Sequence, residues 1–78
     1  MTSQEAAQKY LDDTRAYAAQ VCHQAGDNGE LVPVTSRETR LVDEFNMQLL
    51  KTLMEEPGVS RHGFENQLDF LLQRQGLR

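Results

Sequence analysis

Apolar residues recur at helical spacing in three separate segments of this chain, and each segment follows a serine or threonine that can cap a helix. Positions three and four apart share one face of an α-helix, so the pattern predicts three amphipathic helices. We expect them at residues 3–25, 36–56 and 60–75, within one domain that spans residues 1–78. The predicted fold class is therefore all-α, a small three-helix bundle.

The first predicted helix begins after Thr2, and Glu5 follows three residues later, as in a capping box. Its apolar stripe is rich in alanine, which suits close approach of a neighbouring helix. The members of the stripe are Ala7, Leu11, Thr14, Ala18, Val21 and Ala25. Gly26 stands where a left-handed helix cap is expected. We expect Tyr10 and Tyr17, beside the stripe, at the packing seam or at a dimer contact.

Residues 26–34 form the clearest break, because glycine, aspartate and asparagine favour turns and Pro33 disfavours a helical Val32. The second half of this segment is apolar, so a short strand is conceivable. No second strand is evident to pair with it, and a lone strand leaves its backbone groups unsatisfied. We therefore predict a loop that packs across the bundle.

The second predicted helix opens with another capping box, Thr35 and Glu38, and ends at Pro57 and Gly58. Its apolar face is wide. The members of that face are Leu41, Val42, Phe45, Leu49, Leu50, Leu53 and Met54. Such a face can contact two neighbours at once, so we expect the second helix to be the centre of the fold.

Ser60 can cap the third predicted helix, and Val59 and Phe64 have the spacing of a hydrophobic staple. Gly76 ends this helix, and we expect Leu77 to fold back over its end. The apolar face continues through three leucines and a glutamine, which are Leu68, Leu71, Leu72 and Gln75.

The single cysteine, Cys22, allows no intrachain disulfide, and with two separated histidines it makes no structural zinc set. No apolar stretch approaches the ~20 residues of a membrane span, and the first residues do not resemble a signal peptide. We expect a cytoplasmic protein without cofactor or membrane partner. Because a chain of 78 residues has a small core, a homodimer is expected.

Residues 54–64 resemble the turn of a helix-turn-helix DNA-binding unit. Met54, Gly58 and Phe64 occupy the places where that family has a small or apolar residue, the turn glycine and a later apolar residue. The resemblance covers less than half of the chain. It implies that four side chains face the major groove, and these are Arg61, His62, Asn66 and Gln67. It also implies phosphate contacts from Arg37, Arg40 or Arg74.

Two groups of cations are candidates for binding an anion or a partner. Arg61 and His62 lie in the first turn of the third helix, where free amides favour an anion and Gly63 allows its approach. The alternative is that both pair with Glu55 and Glu56 across the turn.

The second group requires that the second and third helices form an antiparallel hairpin. Arginines at the start of one helix then lie near arginines at the end of the other, and these are Arg37, Arg40, Arg74 and Arg78. Ordinary surface ion pairs with Glu38, Asp43 and Asp69 are the alternative.

Cys22 and His23 invite a thiol-catalysis hypothesis, but adjacent helical residues diverge, and a small buried cysteine is the commoner case. Asp12 and Asp13 diverge in the same way, and we interpret them as a solvated face.

No catalytic residues are assigned, and we do not expect an enzyme. The favoured hypothesis is a non-catalytic protein-interaction module, a small regulator, adaptor or chaperone-like protein of bacterial or phage type. The alternative is a helix-turn-helix regulator. The charge of the second helix argues against DNA binding, because this segment carries five acidic residues and only three basic ones.

Overall fold

The structure is a computed structural model, and it describes residues 1–27, 29 and 31–76. The helices are α1 (Ser3–Val21), α2 (Ser36–Met54) and α3 (Arg61–Arg74). Two short strands, β1 (Gln24–Ala25) and β2 (Leu31–Val32), lie between α1 and α2. The predicted all-α class with three helices is confirmed. Leu77, predicted to fold back over the end of α3, lies outside the described residues.

α1 and α2 begin at the predicted residues, and α3 begins at residue 61, directly after its cap and one residue later than predicted. Thr2 accepts a hydrogen bond from the Glu5 amide at 3.1 Å, and the Glu5 carboxylate accepts one from the Thr2 amide at 3.0 Å, so the first capping box is complete. Ser60 accepts from the Gly63 amide at 3.1 Å at the start of α3. These bonds satisfy amides that a helix start leaves free.

The end of α1 differs from its prediction. The helix stops at Val21, and Cys22 is extended with φ −94° and ψ 142°. Gln24 pairs with Val32 and Ala25 with Leu31 in an antiparallel ladder. The predicted helix to residue 25 and the predicted absence of a pairing strand were therefore wrong.

The predicted left-handed cap at Gly26 was wrong as well, because its φ is not positive. Two other glycines do adopt the left-handed conformation that their positions predict, Gly58 with φ 85° and Gly76 with φ 75°. Both follow a helix, where the absence of a Cβ removes the steric penalty.

The central helix is α1, not α2 as the leucine-rich face predicts. α1 packs against both α2 and α3, whereas α2 and α3 make little contact with each other. Ala6 and Ala7 of α1 are fully buried in a core that they share with Leu53 of α2 and Phe64 of α3. Small side chains let two helices approach the same face, so most of the apolar face of α2 meets one neighbour and stays half-buried.

The antiparallel hairpin is therefore formed by α1 and α2, and the hairpin of the second and third helices, which the predicted basic end requires, is not formed. Tyr17 stacks on Phe45 with ring centroids 4.3 Å apart, and Thr14 donates to Asn46 at 3.0 Å. Residues later in α1 thus meet residues earlier in α2. α3 begins beside the start of α1, where Ser3 approaches Gly63.

Gly58 and Gly76 provide a matched test of the turn between α2 and α3. A Cβ at Gly58 would lie 2.8 Å from the Met1 carbonyl oxygen, whereas one at Gly76 meets nothing within 4 Å. We expect Gly58→Ala to lower the free energy of unfolding by about 2–4 kcal/mol, from backbone strain and overlap together. Gly76→Ala should lose only about 1 kcal/mol. Urea denaturation of both variants checks this, and equal losses would contradict the contact at Gly58.

Candidate functional site

An apolar cleft lies between α2 and α3, where the two helices diverge over α1. Its volume is about 180 Å³, and its apolar lining comes from all three helices. The lining side chains are Tyr10, Leu50, Met54, Phe64 and Leu68. We call this feature the α2–α3 cleft, and Arg61 and Glu65 form its polar rim.

Tyr10 gives the cleft its floor. Its ring meets Phe64 edge to face, with centroids 5.5 Å apart and planes at 90°, a favoured aromatic geometry. Burial raises the pKa of Tyr10, so the phenol stays protonated at neutral pH. Its hydroxyl makes no hydrogen bond with the described part of the chain, and it remains available as a polar contact for a bound group.

Tyr10 and Tyr17, the residues predicted for a packing seam or a dimer contact, both lie half-buried between helices of the same chain. Their ring partners, Phe64 and Phe45, belong to α3 and α2. The two tyrosines thus make their helix-packing contacts within one chain.

The residues predicted to bind an anion at the start of α3 pair within that helix. Arg61 donates to Glu65 at 3.1 Å, and Asn66 meets His62 at 3.2 Å. The alternative pairing with Glu55 and Glu56 is not formed among the described residues. A Cβ at Gly63 would lie 2.8 Å from the Ser3 hydroxyl, so this serine occupies the approach expected for an anion.

The predicted basic end is not assembled by a hairpin of α2 and α3, because these helices do not pack along their length. Arg40 lies 3.9 Å from Glu44 on its own helix. Arg74 is exposed in the last turn of α3. Arg78 lies outside the described residues.

The segment that resembles a helix-turn-helix turn is longer than that motif. Residues 55–60 join α2 to α3, whereas the motif uses about 3–4 residues. Arg61, His62 and Asn66 are exposed, and Gln67 is half-buried.

The burial of Glu38 is the feature that the sequence pattern did not predict. Only 4% of the residue is exposed, and its carboxylate accepts the Val34 amide hydrogen at 2.7 Å while pairing with Nδ1 of His23. The predicted capping box is half formed, because Thr35 accepts from the Glu38 amide but the carboxylate reaches Val34. Glu38 thereby ties both ends of the β1–β2 connection to α2.

A second depression, of about 390 Å³, lies beside Glu38 at the other end of the molecule from the cleft. Val21 and Leu41 supply apolar wall, and His23, Thr35 and Arg37 supply polar wall. Glu38 itself lines the depression, and its carboxylate pairs with His23 and accepts the Val34 amide hydrogen.

The Cys22 thiol is buried beside this carboxylate. Burial, and then the negative charge of Glu38, raise the pKa of Cys22, so the thiol form predominates at neutral pH. A nucleophilic cysteine needs the opposite shift. His23 pairs with Glu38, and no hydrogen bond joins its imidazole to the thiol of Cys22.

The acidic pair of α1 diverges as predicted. Asp13 pairs with Lys9 at 2.8 Å, and Asp12 accepts from Gln8 at 3.0 Å. In the described ranges, no three His, Cys, Asp or Glu side chains are grouped as metal ligands. No helix in those ranges is both long and apolar enough to cross a membrane.

Comparison with known proteins gives no relative. No protein-family model matches the chain, and neither a curated protein nor a solved structure matches it. The cleft and its physical chemistry therefore carry the functional argument.

The pH dependence of the reactivity of Cys22 tests whether its thiol is buried beside the Glu38 carboxylate. Because its pKa is raised, the midpoint of its rate of reaction with a disulfide reagent should lie at higher pH than in the denatured chain. Glu38→Gln removes the second cause and should lower that midpoint. Glu44→Gln, the same change at an exposed site of α2, should leave it unchanged. A midpoint in the native protein at or below that in the denatured chain would contradict the burial of the thiol beside this carboxylate.

Proposed function

We propose that this protein is a non-catalytic protein-interaction module that binds an amphipathic helix of another protein in the α2–α3 cleft. The carrying observation is an apolar concavity built from all three helices, with Tyr10 and Phe64 as its floor. The two leucines and the methionine that line it are half-buried, and a partner that covers the cleft removes their remaining apolar surface from water.

The size of the cleft supports a side chain as its occupant. Small-molecule pockets usually have about 300–1,000 Å³, and this cleft has about 180 Å³. Two helices form its walls, which is the arrangement that receives a third helix by its apolar anchors. Leu50 and Met54 line the cleft from α2, four residues apart, so partner anchors one helical turn apart can be contacted together.

The rim supplies specificity. Arg61 and Glu65 form an exposed pair within α3, and an exposed pair contributes only about 0–1 kcal/mol. It can therefore exchange for charges of a partner at little cost. The Tyr10 hydroxyl supplies a hydrogen bond at the floor.

The shifted thiol supports the non-catalytic part of the proposal, because a buried protonated Cys22 next to a carboxylate is a weak nucleophile. A free, buried thiol is also compatible with a reducing compartment, and we propose that the protein acts in the cytoplasm.

Position-specific crosslinking in the native cell tests the proposal. A photoreactive phenylalanine derivative at Met54, on the cleft, should give an adduct with another protein. The same derivative at Phe70, which is exposed on α3 away from the cleft, should give at most a tenth of it. The labelled partner peptide should carry apolar residues at helical spacing. Leu68→Lys should abolish the Met54 adduct while circular dichroism shows a folded chain.

Three outcomes would contradict the proposal. Equal adducts at both positions would place binding elsewhere, and adducts only with a second copy would remove the partner. Retardation of duplex DNA at low salt, weakening steeply as salt is added, would favour the helix-turn-helix alternative instead.

A further inference from the structure

The outer face of α2, turned away from α1, is covered by no other element in the part of the chain that the structure describes. It consists of residues at spacings of four and three, which are Arg40, Glu44, Met47, Lys51 and Glu55. We call it the outer α2 face. All five are exposed, and Glu55 keeps helical angles just after the last residue of α2. Met47 has 72% of its surface exposed, more than any other large apolar residue in the described part of the chain.

The charges of this face are arranged symmetrically about its methionine, with opposite signs. The midpoint lies between Met47 and Gln48. Arg40 precedes that midpoint by as many residues as Glu55 follows it, and Glu44 precedes it by as many as Lys51 follows it. Each cation therefore has an anion at its mirror position.

This pattern is self-complementary only for two antiparallel helices. When a second copy lies antiparallel across the midpoint, Arg40 of each chain faces Glu55 of the other, and Glu44 faces Lys51. The two Met47 side chains then meet at the centre. In a parallel arrangement each charge would face its own kind, which disfavours association.

The exposed area agrees with a second copy. The chain exposes 5469 Å², whereas a compact monomer of 8.9 kDa exposes about 4,800 Å². The excess approaches the ~800 Å² that one partner buries in a standard interface.

We propose that the protein forms a two-fold symmetric homodimer through the outer α2 face, with antiparallel α2 helices and Met47 at the axis. This interface differs from the one expected around Tyr10 and Tyr17, whose rings are used within one chain. It is independent of the α2–α3 cleft.

A charge-swap experiment tests the interface. Sedimentation equilibrium of the full chain should show a reversible dimer that weakens as salt is added. Lys51→Glu places like charges opposite Glu44 and should raise the dissociation constant at least tenfold, and Glu44→Lys should do the same. The double variant restores opposite charges in inverted order and should return the dissociation constant to within threefold of the parent. Arg15→Glu, an equal charge change on the exposed side of α1, should have little effect.

The orientation is tested by a disulfide across the axis. In a Cys22→Ala background, Met47→Cys should oxidise to a linked dimer at least tenfold faster than Phe70→Cys, because only position 47 meets its symmetry mate. A monomer at millimolar concentration overturns the proposal. So does a dimer in which the single reversals have no effect, or one in which the double variant is as weak as either single variant.

Discussion

Contact at Ala6 and Ala7 is the interaction on which the rest of this structure depends. Both residues are fully buried, and their methyl groups are small enough for α2 and α3 to pack on the same side of α1. Leu53, with 1% of its surface exposed, and Phe64, with 2%, fill the space that these alanines leave. Burial of one large apolar side chain contributes about 1.5–3 kcal/mol, so a few such contacts hold a chain of this size together.

Because α1 occupies the centre, α2 and α3 remain apart above it. That separation opens the α2–α3 cleft and leaves the outer α2 face uncovered. At the other end of α1, where α3 does not supply the cover, β2 contacts α1 and Glu38 fixes the connection through Val34 and His23. This arrangement of helices thus produces both proposed surfaces. The buried carboxylate of Glu38 stabilises the end of α1 that α3 does not cover.

Local chemistry made much of the fold predictable. Thr2, Thr35 and Ser60 begin their helices because a side-chain oxygen satisfies a free amide, and this depends only on neighbouring residues. Gly58 and Gly76 adopt positive φ for an equally local reason. The predictions that failed depend on partners distant in sequence. A leucine-rich face shows how much apolar surface a helix has, but it does not show how many neighbours cover it, so α2 was wrongly expected at the centre.

The site was less predictable for the same reason. A ladder of two residues, such as Gln24–Ala25 with Leu31–Val32, has no periodicity to detect. The spacing of Thr35 and Glu38 indicates a capping box, yet the destination of the carboxylate depends on where Val34 and His23 lie in space. The exposed polar residues of α3 could be identified as candidates from their residue types, but they pair with one another within the helix. The adjacent cleft, which is built from half-buried core positions, is therefore the more distinctive feature.

The central role of α1 is tested most directly by adding bulk at its buried alanines. Ala7→Leu and Ala16→Leu make the same change on one helix, at a fully buried and at an exposed position. We expect Ala7→Leu to lower the free energy of unfolding by about 1–3 kcal/mol, because the larger side chain forces the helices apart. Ala16→Leu should change it by less than about 0.5 kcal/mol. Equal unfolding free energies for the two variants in urea would contradict a fold centred on the alanine face of α1.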